Sequence, residues 1–222
     1  MIEAVVFDFD GLILDTETNE FASFQELFKE HGAELTLEVW GSVVGTNGFD
    51  TYAHLDECVG RPVDRETARA RRKERFQSLM EAEDIRPGVR EYLESARRMG
   101  LRIGLASSSR LAWVTGYLDR FGLTSYFECI QTADHVEKVK PDPALYRQVL
   151  EQLGVAPERA LAFEDSPNGA LAAKRAGMKV VTVPNPLTCR LVFGEVDRTL
   201  GSMSEISLED LIAELGAKTE PA

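Results

Sequence analysis

Apolar residues fall along this chain in two alternating patterns. The first is the short unbroken run. Ala4-Val5-Val6-Phe7 is one, rich in β-branched residues and followed closely by Gly11. Such a run, too short for a helix, predicts a strand buried on both faces. Leu101 to Ala106, Phe127 to Gln131, Ala160 to Phe163 and Lys179 to Val183 predict four more strands. The second pattern is helical spacing. It runs through Val89, Leu93 and Ala96 to Gly100, with Pro87 suited to the first turn and the glycine to the stop. It returns over 112–121 before Gly122, in a helix ending near Gly154, over 170–176 before Gly177, and over 204–215 ahead of a frayed end.

Between the first two strands the character differs. Phe21, Phe24, Leu27, Phe28, Leu35, Leu37 and Val39 keep helical spacing, and nothing from Asn19 to about Asp84 reads as a buried strand. The predicted fold is therefore α/β, a doubly wound, Rossmann-like parallel sheet formed by residues 1–15 and 86–222, with an inserted all-helical unit over 16–85. Crossovers in such sheets are right-handed, and ligands bind beyond the carboxyl ends of the strands.

Composition narrows the function. A length of 222 residues is enough for a sizeable core. A net charge of −12 argues against nucleic acid and anionic membrane as partners. No apolar run is long enough to span a bilayer and no signal-peptide pattern opens the chain, so the expected location is the cytoplasm. Cys58, Cys129 and Cys189 are odd in number and widely spaced, as free thiols are, and the three histidines are scattered. Oligomeric state is not fixed by any of this, and a monomer is compatible with it.

Candidate chemistry gathers at the strand ends. Asp8 and Asp10 follow the first strand, two residues apart, so extended backbone sends both side chains to one side. Carboxylates that close repel, which invites a cation, and oxygen ligands suit Mg2+. The next strands end at Ser107, at Lys140 after a loop, and at Glu164-Asp165. Each alone could be a helix cap or a solvated loop residue. Together they supply what phosphoryl transfer needs: a nucleophile, positive charge and hydrogen-bond donors. Asp8 is the candidate nucleophile, forming an aspartyl-phosphate. Asp8, Asp165 and Glu164 are candidate Mg2+ ligands, Lys140 and Ser107 hold phosphate, and Asp10 is the acid/base.

Asp8-Phe9-Asp10-Gly11-Leu12-Ile13-Leu14-Asp15-Thr16, Ser107, Lys140-Pro141-Asp142-Pro143 and Glu164-Asp165-Ser166-Pro167-Asn168-Gly169 resemble, in order and spacing, the four motifs of the haloacid dehalogenase superfamily. The likeness covers nearly the whole chain, and the helical insert resembles the cap of the β-phosphoglucomutase-like branch. It implies Asp8 as nucleophile and Asp10 as acid/base. It also implies Mg2+ on Asp8, the Asp10 backbone carbonyl and Asp165, and phosphate on Ser107 and Lys140.

The chain departs from the branch's mutases in the cap. Glu20 stands where they carry histidine, and their arginine after the Gly-Val turn has no counterpart near Asn47-Gly48. Without that anchor for a distal phosphate, release to water is the simpler outcome. The expected function is a Mg2+-dependent phosphatase acting on a small phosphorylated metabolite, a sugar phosphate first of all. An isomerase and a non-catalytic phospho-acceptor switch are the rivals. Asp10 speaks against the switch, which needs no leaving-group acid, and a Mg2+ set speaks against dehalogenation. Specificity is expected from Glu20, Val44, Gly45, Thr46 and Asn47. The seven basic residues between Arg61 and Arg75 read as a solvated helix face, with one of them reaching substrate as the lesser alternative. Hinges are expected at 14–17 and 84–88.

Overall fold

The structure is a computed structural model that describes residues 1–41 and 49–217. Six parallel strands form its sheet, in the order β3-β2-β1-β4-β5-β6. They are β1 (Ala4–Phe7), β2 (Arg102–Ala106), β3 (Cys129–Gln131), β4 (Ala160–Glu164), β5 (Lys179–Thr182) and β6 (Arg198–Thr199). β1 is inside the sheet, with Val5 opposite both Ile103 and Leu161.

The alternation of side chains along β1 divides the core in two. Val5 and Phe7 join a cluster with Leu105, Phe163, Val114 and Leu211. These come from the side that carries α5 (Val89–Arg98), α6 (Leu111–Arg120) and α9 (Leu208–Ala217). Ala4 and Val6 join Ala162, Tyr146, Val149 and Ala173, from the side of α7 (Ala144–Leu153) and α8 (Pro167–Arg175). Helices on both faces are why β1 carries no polar residue: neither side of it meets water.

Among the described residues, four helices precede α5 in the stretch between β1 and β2: α1 (Thr16–Glu30), α2 (Leu37–Gly41), α3 (Thr51–Val59) and α4 (Arg65–Ala82). Asp15, Asp50 and Asp64 cap α1, α3 and α4 by accepting backbone N–H bonds. Phe21, Phe24, Leu27, Phe28, Leu35, Trp40 and Leu55 form a separate hydrophobic cluster, joined by Leu187 from beyond β5. Met80, near the end of α4, belongs instead to the core under the sheet.

Several boundaries differ from expectation. β3 begins at Cys129 because Thr124–Tyr126 folds into a 3-10 turn just before Phe127. β6 was not foreseen: its two residues are exposed and carry no apolar signal. The last helix starts at Leu208, since Met203–Glu205 makes a separate turn with Ser202 as its cap. The three cysteines are free. Among the described residues no helix is long and apolar enough to cross a membrane.

The two passages between sheet and helical insert run side by side. Leu14 bridges Ile85, and the Arg86 N–H donates to the Ile13 carbonyl at 2.9 Å. The Arg86 guanidinium then donates to the carbonyls of Gly11, Val183 and Pro184, tying the loops after β1 and β5 together. Replacing Arg86 by alanine should cost about 2–4 kcal/mol, since it strands polar groups that burial keeps from water. A urea titration of the variant beside wild type measures this, and a loss under about 0.5 kcal/mol would show that water replaces the guanidinium.

Candidate active site

Each strand around β1 ends at one rim, and the chemistry gathers there. Asp8 lies one residue past β1, where its N–H still donates to the Phe163 carbonyl of β4 at 3.0 Å. Glu164 closes β4 and Asp165 follows it. These three carboxylates are buried, and each places an oxygen within 4.8 Å of the other two. The Lys140 ammonium sits between two of them, 2.5 Å from Asp8 Oδ1 and 2.7 Å from Glu164 Oε1.

One ammonium against three carboxylates leaves the cluster with excess negative charge. Burial, then Glu164, push Asp8 up to about 8, with Lys140 opposing. Burial, then Asp8 and Glu164, raise Asp165 well above the carboxylate range. Burial by itself would lower Lys140, but Asp8 and Glu164 hold it above its ordinary value. A buried, oxygen-only donor set with uncompensated negative charge fits a hard divalent cation.

Neighbouring residues hold these groups in place. The Tyr146 hydroxyl donates to Glu164 Oε1, and Asn185 donates to Asp165 Oδ2 at 2.8 Å. Asn185 is itself fixed, its Oδ1 accepting the N–H groups of Leu187 and Thr188 at 2.9 Å. The backbone passes so near the carboxylates that two positions must be glycine. A Cβ on Gly11 would lie 2.0 Å from Asp165, and one on Gly169 2.0 Å from Glu164. Gly11 also has a φ of +76°, which disfavours side chains by itself.

Asp10 belongs to the same cavity but has other partners. Its Oδ2 accepts from Ser109 Oγ at 2.6 Å and Ser107 Oγ at 3.3 Å, and its Oδ1 accepts from Trp113 Nε1 at 2.9 Å. Ser107 is fully buried, and its hydroxyl also accepts the Ser109 N–H at 2.9 Å.

The cavity has a volume of about 410 Å³ and is lined from both sides. Asp8, Asp10, Ser109, Trp113, Lys140 and Asp165 come from the sheet side, Glu17, Glu20, Arg72 and Phe76 from α1 and α4. Arg72 pairs with Glu20 at 3.3 Å. Burial, then Glu20 and Asp10, push Glu17 up to about 7.

The structure thus brings Asp8, Lys140, Glu164 and Asp165 into contact and places Asp10, Ser107 and Glu20 around them. Val44, Gly45, Thr46 and Asn47 lie outside the described residues. Tyr146, Asn185, Trp113, Arg72 and Glu17 escape a reading of strand ends, because they reach the rim from helices or from a loop beyond β5. Ser109 was within reach, two residues past Ser107. Arg72 is one of seven basic residues between Arg61 and Arg75, and only packing singles it out as the one facing the cavity.

Known proteins agree with this architecture. The family model described as "Haloacid dehalogenase-like hydrolase" matches residues 5–183. "Putative phosphatase YhcW" of Bacillus subtilis is 52% identical over 98% of this chain and 100% of its own length. "Phosphorylated carbohydrates phosphatase" of Thermotoga maritima is 33% identical over 80% of this chain and 83% of its own. The crystal structure of CbbY from Rhodobacter sphaeroides in complex with phosphate superposes with a TM-score of 0.75 at 32% identity, covering 96% of this chain and 100% of that one. The chain belongs to the haloacid dehalogenase-like hydrolases, as an enzyme of the phosphoric monoester hydrolase class.

Proposed function

We propose that the protein is a Mg2+-dependent phosphatase that hydrolyses a small phosphorylated metabolite, a sugar phosphate, through an aspartyl-phosphate on Asp8. The observation that carries this is the buried Asp8 carboxylate held by Lys140 beside Asp165 and Glu164. The relative named for phosphorylated carbohydrates supports the substrate class. Glu20, paired with Arg72, stands where a mutase would carry histidine, and the sequence lacks the arginine by which a mutase anchors a distal phosphate, which favours release to water over transfer within a sugar.

An Asp8 oxygen attacks phosphorus, and the bond to the ester oxygen breaks. Asp10 gives that oxygen a proton as it leaves as an alcohol. Water then attacks the aspartyl-phosphate while Asp10 takes back a proton, and inorganic phosphate departs. Lys140 orients Asp8 and offers positive charge to the phosphoryl oxygens, with Ser107 and nearby backbone N–H groups as donors. Mg2+ on Asp8, Asp165, Glu164 and the Asp10 carbonyl would supply the charge that lets an anionic ester approach an anionic nucleophile. Residues 16–85 act as a cap domain, turning about 14–17 and 84–88.

Incubation with a panel of phosphorylated metabolites, with and without Mg2+, should release phosphate only with the metal, fastest from sugar monophosphates. Isomerisation of β-glucose 1-phosphate primed with a bisphosphate would indicate a mutase instead. Asp8→Asn should abolish turnover and also raise the metal-free melting temperature, because it removes one of three crowded buried carboxylates; a gain of about 1 kcal/mol corresponds to roughly 2–4 °C. Near-normal turnover would refute the nucleophile. Asp10→Asn should slow both half-reactions by ~10²–10⁴-fold. A rapid-quench burst showing only one of them slowed would separate the acid from the base.

A further inference from the structure

The mechanism gives Asp10 two proton transfers but does not say what holds its carboxylate where both can occur. Two serine hydroxyls and one indole N–H do so. Their chemistry differs. A hydroxyl donates or accepts by rotating, whereas an indole N–H only donates. Trp113 therefore anchors Oδ1 by a donor that cannot reverse, while the serine hydroxyls hold Oδ2.

Trp113 is also held from the opposite side of the cavity. Its ring stacks on Phe76 of α4, with centroids 5.8 Å apart and planes 18° apart. Phe76 lies one helical turn from Arg72, whose guanidinium sits 5.6 Å from the Phe76 ring and pairs with Glu20. The ring thus has one edge on the acid/base and one face on the helical insert.

We propose that Trp113 is a positioning residue for Asp10, fixing its carboxylate through the indole N–H while the stack on Phe76 sets where the indole lies. This rests on the assignment of Asp10 as the acid/base. A residue that only packed would affect every substrate equally. A residue that aims the acid affects esters according to how much their leaving group needs a proton.

Trp113→Phe keeps a ring for Phe76 and removes the N–H. With a poor alkyl leaving group, as in a sugar 6-phosphate, the single-turnover rate of aspartyl-phosphate formation, read by rapid quench, should fall ~10-fold or more, part of what general acid catalysis is worth. With p-nitrophenyl phosphate, whose leaving group needs little help, that rate should change less than about 3-fold, while hydrolysis of the aspartyl-phosphate, common to both esters, slows alike. The substrate concentration that gives half the maximal single-turnover rate should hold for both. In an Asp10→Asn background the same change should cost nothing further, as expected of residues acting as one unit. Phe76→Leu, which retains the N–H but loosens the indole, should show a weaker form of the same split. Circular dichroism melts check that each variant folds.

The contact can be read without turnover, since the chain has two tryptophans. In Trp40→Phe only Trp113 emits, and adding Asp10→Ala should shift its fluorescence. Equal losses in the rate of aspartyl-phosphate formation from the two esters, no loss with either, or an unmoved emission would overturn the proposal. A wild-type enzyme inactive on both esters would sink the phosphatase reading instead, and the emission shift would then decide the Trp113–Asp10 contact by itself.

Discussion

The structure depends on one ammonium group among buried acids. Lys140 bonds Asp8 and Glu164 at the rim where β1 and β4 end, with Asp165 beside them. Removing the lysine would leave like charges together in a poorly solvated place, a costly arrangement in any fold. Much of the surrounding sequence serves this cluster. Tyr146 and Asn185 spend their donors on it, and Gly11 and Gly169 make room for it. The uncompensated charge is a cost in stability that a bound cation would relieve, so binding and folding draw on the same groups.

The sheet and the cluster could be read from the sequence for a common reason. A strand buried on both faces must be continuously apolar, so the polar residue that ends it is conspicuous. Parallel topology then sends all such residues to one rim, which is why Asp8, Ser107, Glu164 and Asp165 could be gathered without coordinates. Lys140 was harder, since a loop of its own separates it from β3. β6 had no such signature, being short, exposed and at the sheet's edge.

The residues from helices were not readable, because a helix face is defined only by what it packs against. Arg72 shares its stretch with Arg65, which binds Asp56, Arg71, which binds Glu30, and Arg75, which binds Glu26. The solvated-face reading suits those neighbours, whereas Arg72 turns inward over Phe24 and Phe76. Trp113 was hidden differently: its apolar ring fits a packed helix, and its single polar atom finds Asp10 only once α6 is docked on the strand end.

The place of β1 in the sheet bears on how the chain is made. Ala4 leaves the ribosome well before its strand partners, Arg102 and Ala160. The interior strand, wholly apolar, must wait unpaired until β2 has been synthesised, and half-paired until β4 has been. The helices in between can assemble earlier around a cluster that, apart from Leu187, they supply themselves. During synthesis the nascent chain therefore carries a sticky apolar segment ahead of a formed helical body, and shielding that segment from other chains falls to whatever meets it at the tunnel exit.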